Sequence, residues 1–172
     1  PIWPVGRHLQ DTLPMESVSV TRRRQDVERL VADAVDACMT LKRLQLPFDG
    51  GCSCSAVRYR MHALPLFVHC CHCTRCQRET GSPFAHHAMI EFTALTLLQG
   101  EPDFVPVPTD SGSKHWVARC GTCRSAMWNE HGTRKAIVRY LRVGTLDEPA
   151  AFPPLAHIFT RSKQPWLALP DD

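Results

Sequence analysis

No stretch of this chain approaches the roughly 20 consecutive apolar residues that a membrane-spanning helix needs, so no membrane partner is expected. Charge of one sign is also scarce. The formal net charge is only +3, and the basic residues are scattered apart from Arg22, Arg23 and Arg24. That triplet reads as solvated residues at a helix start, and nucleic acid is not an expected partner. There is no internal repeat, which excludes solenoids and propellers. Pro1 to Gln10 lack the basic-then-apolar pattern of a secretory signal, so no export address is expected, and the missing initiator Met points to a trimmed or partial chain.

What is present is an ordinary globular composition with unusual cysteine. Apolar residues make up 44% and charged residues 22% of 172 residues, enough for one domain with a core plus extensions. Nine cysteines in a chain of this size suit either a secreted disulfide framework or metal binding. The odd count and the tight clustering favour reduced, metal-bound thiolates and a reducing compartment, the cytoplasm or the nucleus.

The chain divides into three. Residues 1–20 carry Pro1, Pro4 and Pro14 without periodicity and read as an irregular lead. Residues 21–46 read as an amphipathic helical extension: Thr21 caps a helix whose apolar positions Val27, Leu30, Val31, Ala34, Val35, Cys38 and Leu41 recur at three and four residues. Cys38 sits on that stripe as a small hydrophobe. Residues 47–172 change character to short segments broken by Gly and Pro. Phe48-Asp49-Gly50-Gly51 is a turn signal, and Val57, Tyr59 and Met61 alternate with charged residues as a half-buried strand. Further strands are expected over 66–70, 86–92, 104–107, 115–119, 136–143 and 157–160, with a short helix over 74–80 before Gly81. The fold class is mainly β with an appended N-terminal helix.

Seven cysteines fall into three clusters, Cys52-x-Cys54, Cys71-x-Cys73-x2-Cys76 and Cys120-x2-Cys123. Sulfurs this close in sequence bridge each other poorly but converge readily on one ion. On an extended segment Cys52 and Cys54 point to one face, and Gly121 helps a tight turn bring Cys120 and Cys123 together. The two remote pairs make a closed tetrahedral S4 site, a structural zinc. Cys71, Cys73 and Cys76 have no second pair to complete them, and a three-ligand zinc keeps an open position, the arrangement of catalytic zinc, suited here to a soft thiol. Cys70, His69 or His72 could instead close this site. His86, His87, His115 and His131 match no ligand spacing and read as surface or satisfied polar residues.

With these residues in place, the region from Gly50 to Trp166 resembles the family of the glutathione-dependent formaldehyde-activating enzyme, which also includes centromere protein V. The motifs appear in order: Gly51-Cys52-x-Cys54-x2-Val57-x-Tyr59, Cys71-His72-Cys73-x2-Cys76-x-Arg78, Gly81-Ser82-x-Phe84, Cys120-x2-Cys123, Gly144-Thr145-Leu146-Asp147 with Pro149, and His157-Ile158 with Lys163 and Trp166. Ser55 and Arg124 stand where that family commonly has Gly. The resemblance implies a small, mostly β fold with two Zn2+ per chain: Cys52, Cys54, Cys120 and Cys123 around the structural ion, and Cys71, Cys73 and Cys76 around the catalytic one. It also implies a carbon–sulfur lyase that reversibly joins glutathione and formaldehyde into S-(hydroxymethyl)glutathione, with Arg75, Arg78 and Lys163 as candidate contacts for the tripeptide's carboxylates.

The rival reading is a binding or scaffold module in which both zincs are structural. The helix over 21–46 is then a docking or dimer element, which leaves room for a homo-oligomer, or else it packs on its own domain. Four thiolates also suit iron.

Overall fold

The computed structural model describes residues 27–29, 31–32, 35, 45–108, 112–132 and 137–169. The irregular lead, Thr21, the arginine triplet and Cys38 lie outside the described residues. The chain separates into two units, Pro1–Val35 and Asp36–Asp172. In the first, the described residues are helical, and Val27, Val31 and Val35, spaced to share one face, are exposed at 57%, 57% and 56%.

The second unit is mainly β. Its strands are β1 (Phe48–Gly51), β2 (Arg58–Met61), β3 (Phe67–Cys71), β4 (Ala85–Glu91), β5 (Leu95–Gln99), β6 (Pro102–Val107), β7 (His115–Cys120), β8 (Ala126–His131), β9 (Val138–Arg142) and β10 (Ala156–Ile158). A three-stranded sheet runs β1-β2-β5, and a seven-stranded sheet runs β10-β3-β4-β9-β8-β7-β6. All pairings are antiparallel except β10 with β3, which places Ile158 beside Cys71. One helix, Thr74–Thr80, follows β3; Gly81 ends it at φ 64, a left-handed position open to glycine. No helix among the described residues is long and apolar enough to cross a membrane.

The core lies between the sheets. Phe48, Tyr59, Met61 and Leu95 from the small sheet meet Val68, Ala88, Ile90, Ala118, Trp128 and Leu141 from the large one. The Tyr59 and Trp128 rings pack edge to face at 5.9 Å. Strand alternation sends the neighbours of these core residues to the opposite face of the large sheet. There stand Cys71, His69, His87, Tyr140, Arg142, Asn129, His131 and His115, in register as His69↔His87, His87↔Arg142, Tyr140↔Asn129 and His115↔His131.

Three strands escaped the sequence pattern. β1 occupies the segment expected to turn, because Gly50 and Gly51 serve close approach rather than reversal. A Cβ at Gly50 would sit 2.5 Å from the Thr145 carbonyl oxygen and 2.5 Å from the Tyr59 hydroxyl, and one at Gly51 would sit 2.5 Å from the Val57 carbonyl oxygen. β5 is exposed after its first residue, and β8 is buried on both faces at Met127, Trp128, Asn129 and Glu130. Neither therefore shows an apolar alternation.

Gly50 also bridges to Leu146, and the Tyr59 hydroxyl hydrogen-bonds the Thr145 hydroxyl at 2.7 Å. Gly50→Ala should therefore destabilise the domain by about 1–3 kcal/mol, the usual cost of overpacking, read as a lower urea midpoint at unchanged slope.

Candidate metal centres

The four sulfurs of Cys52, Cys54, Cys120 and Cys123 lie within 4.8 Å of one another. The first pair sits in the β1–β2 connection; in the second, Cys120 ends β7 and Cys123 lies in the β7–β8 connection, so the group joins the two sheets. Sγ of Cys54 is 3.6 Å from that of Cys52 and 3.7 Å from that of Cys120. A tetrahedral zinc with bonds near 2.3 Å has sulfur–sulfur edges of about 3.8 Å, so these side chains fit that ion.

Cys52 and Cys54 do not converge as neighbours on a strand. They lie in a turn in which the Ser55 N–H donates to the Cys52 carbonyl at 3.0 Å and the Val57 N–H donates to Cys52 Sγ at 3.3 Å. The second pair repeats the design: the Arg124 N–H donates to the Cys120 carbonyl at 3.1 Å and the Thr122 N–H to Cys120 Sγ at 3.4 Å. Each turn closes through a left-handed residue, Ser55 at φ 60 and Arg124 at φ 61. Those are the two positions at which the motif commonly has glycine, and Gly121 carries no positive φ. The Ser125 side chain and backbone hydrogen-bond Cys123 and hold its thiol down to about 5, so this sulfur is an anion at neutral pH. The turns are further tied by a 2.9 Å hydrogen bond between the Ser53 and Ser125 hydroxyls.

The second group contains the sulfurs of Cys71, Cys73 and Cys76, again within 4.8 Å of one another. Cys71 ends β3, and Cys73 caps the helix by accepting the Cys76 N–H at 3.3 Å. Hydrogen bonds from the Cys76 thiol and then from the Cys73 backbone draw Cys71 down to about 6 against its burial, and the Arg142 charge helps. Cys76 is pushed up by its bond to Cys71 and by burial. One thiolate is therefore ready without an ion, and removing further protons calls for a cation.

Among the described residues, none of the alternative fourth ligands joins this group. Cys70 is buried, and burial followed by the Cys71 charge pushes its thiol up to about 11. His72 Nε2 meets His157 Nδ1 at 2.8 Å. The His72 carbonyl accepts from Gln77 Nε2 at 2.7 Å and Ser162 Oγ at 3.0 Å, so the loop is laced to the C-terminal segment. All eight described cysteines are free of disulfides.

The histidines depart from expectation. His69, His87 and His115 are buried, and His69 Nδ1, His86 Nε2 and His115 Nε2 have no hydrogen-bond partner among the described residues. Burial lowers His115 to about 4 and His87 well below its usual value, so both are neutral at pH 7. Nothing in the spacing of lone histidines marks them as neighbours; only strand register brings them together. Of the candidate carboxylate contacts, Arg78 is exposed and lines a groove of about 450 Å³ with Thr74, Gln77, Gln164 and Trp166, while Lys163 Nζ donates to the Leu167 carbonyl at 2.9 Å.

The family model of the glutathione-dependent formaldehyde-activating enzyme matches residues 47–162. The chain belongs to that family. No curated protein sequence matches it significantly. Among solved structures it is similar to a crystal structure of a Rhodobacter sphaeroides protein, with 20% identity and a TM-score of 0.48 over 63% of this chain and 98% of that one. Membership implies glutathione- and formaldehyde-related chemistry, and the matched segment contains all seven clustered cysteines.

A left-handed non-glycine residue costs roughly 1–2 kcal/mol, and the exposed Arg124–Asp103 ion pair at 2.9 Å returns about 0–1 kcal/mol. Ser55→Gly should therefore raise the thermal midpoint of the metal-loaded protein, and Arg124→Gly should leave it unchanged or raise it. Differential scanning calorimetry checks both.

Proposed function

We propose that the protein is a zinc-dependent carbon–sulfur lyase that reversibly joins glutathione and formaldehyde into S-(hydroxymethyl)glutathione. In this reading Cys52, Cys54, Cys120 and Cys123 hold a structural zinc, and Cys71, Cys73 and Cys76 hold a catalytic one. The carrying observation is the difference in ligand number: four convergent sulfurs in one group and three in the other, with Cys70, His69 and His72 outside it. A bound zinc at the three-cysteine group supplies a fourth position that keeps a substrate thiol ionised.

The chain's own residues orient the reaction. The helix that carries Cys73 and Cys76 also contributes Thr74, Gln77 and Arg78 to the neighbouring groove, whose volume of about 450 Å³ falls within the roughly 300–1,000 Å³ of small-molecule sites. Arg78 there offers an unburied cation to a carboxylate of the tripeptide. The Gln77 side chain, which donates to the His72 and Ser162 carbonyls at 2.7 Å each, fixes the groove to the cysteine loop. The working compartment is then reducing, cytoplasm or nucleus. The exposed Val27, Val31 and Val35 stripe favours a second reading, a zinc-stabilised scaffold with that helix as its docking or dimer element.

Titrating the cobalt(II)-substituted protein with glutathione separates the two. A saturable change in the visible and sulfur-to-cobalt bands at one site per chain is expected, and two unresponsive closed tetrahedral centres would favour the scaffold. Cys73→Ser should abolish turnover while the fold survives, because a serine oxygen still caps the helix; full residual activity would sink the lyase reading.

A further inference from the structure

Beside the three-cysteine group lies a cavity lined by Arg75, Cys76, Glu79, His115, Asn129 and Arg142, closed by Val107 and Val117, with free volume of about 10 Å³. That is room for one water-sized group. Arg142 ends β9 and is only 7% exposed, yet Nε and both terminal nitrogens lack a hydrogen-bond partner among the described residues. His115 Nε2 and Asn129 Oδ1 are also unpartnered. The one carboxylate lining the cavity, Glu79, is ion-paired with Arg119. A guanidinium stays charged and carries five donors in a fixed fork. A buried charge is costly unless it is paired and hydrogen-bonded, so a guest oxygen that accepts from this fork lowers that cost. The sulfurs of Cys76, Cys71 and Cys73, once ionised, favour its charged form against the burial that opposes it.

We propose that this cavity is an oxyanion subsite, in which Arg142 donates to the carbonyl oxygen of an aldehyde reacting at the three-cysteine centre. The proposal rests on the thiol–aldehyde reading. In the addition direction the substrate thiolate forms the carbon–sulfur bond and the carbonyl π pair moves onto oxygen. Arg142 holds that oxygen until it takes a proton from solvent, which replaces the proton the thiol released on ionisation. Charge develops at the oxygen only as the bond forms, so a preorganised donor there favours the transition state over the bound reactants. A cavity of about 10 Å³ with valine walls has room for the carbonyl oxygen alone and leaves the carbonyl carbon outside it, towards the sulfur centre.

Formate, a stable one-carbon oxyanion, is the probe. Added to the full cobalt(II)-loaded chain, it should shift the visible bands saturably. Arg142→Met should weaken that response by roughly tenfold to a hundredfold, the worth of a charge-assisted hydrogen bond. Asn129→Asp, nearly isosteric and so suited to keeping the fold, places a carboxylate beside the guanidinium and should abolish the response. Glutathione should perturb the bands at a similar concentration in all three proteins, because its sulfur is held elsewhere. An absent formate response in the parent chain, or an equal one in both variants, overturns the subsite. Formate binding that depends on Arg142 with no glutathione response in any protein would overturn the thiol reading and leave the subsite standing.

Discussion

The convergence of Cys52 and Cys54 with Cys120 and Cys123 is the constraint on which the domain depends. Two thiolates at the observed 3.7 Å repel by about 4 kcal/mol at an effective dielectric near 20, and four of them multiply that strain. Only protonation or a divalent cation relieves it. A cation also turns the repulsion into a clamp between the β1–β2 and β7–β8 turns. The small sheet is thereby fixed over the large one, and the apolar layer from Phe48 through Tyr59 to Trp128 stays closed. Backbone N–H groups are already aimed at Cys52 and Cys120 Sγ. The polypeptide accepts left-handed backbone at Ser55 and Arg124 to aim them.

The large sheet has opposite duties on its two faces. Trp128 and Leu141 belong to the core, while Asn129 and Arg142, one residue further along the same strands, face the polar side with His87 and His115. Burying polar atoms without partners opposes folding, so this face is stable only because the other face and the thiolate clamp hold the sheet. The three-cysteine group sits at its margin, where β3 ends and β10 runs parallel beside it. The loop is held there by hydrogen bonds to the C-terminal segment and by the fully buried His72, whose ring packs on Phe84 and His157, while the helix Thr74–Thr80 has no fully buried residue.

Cysteine spacing and strand alternation carried most of what the sequence could say. The sulfur groups assemble as the spacing required, and the helix over 74–80 is where Gly81 indicated it would end. Two local explanations differed: Cys52 and Cys54 meet through a turn, and the strained positions are Ser55 and Arg124 rather than Gly121. β1, β5 and β8 were illegible because glycine can signal close approach as well as reversal, and because strands buried or exposed on both faces lose the period of two. The histidines and Arg142 were illegible for a deeper reason. In Val138-Arg139-Tyr140-Leu141-Arg142 the two arginines fall on opposite faces of the strand and nothing local marks either as covered; only the tertiary cover over the sheet buries Arg142, while Arg139 pairs with Glu130 at 3.0 Å.

The burial of Arg142 bears on the chemistry. With a divalent cation bound, three thiolates would leave one net negative charge, and a thiol guest ionising there would make it two. The Arg142 guanidinium, which these sulfurs favour electrostatically, would offset part of that charge without acting as a ligand. A neutral His115 and a neutral His87 beside it add no competing positive charge. An acid placed beside the buried arginine would have closed an ion pair, but it would also have cancelled the positive charge that draws electron-rich guests towards the sulfur centre. The unpaired charge is best understood as stability forgone so that an electron-rich guest can supply the missing partner.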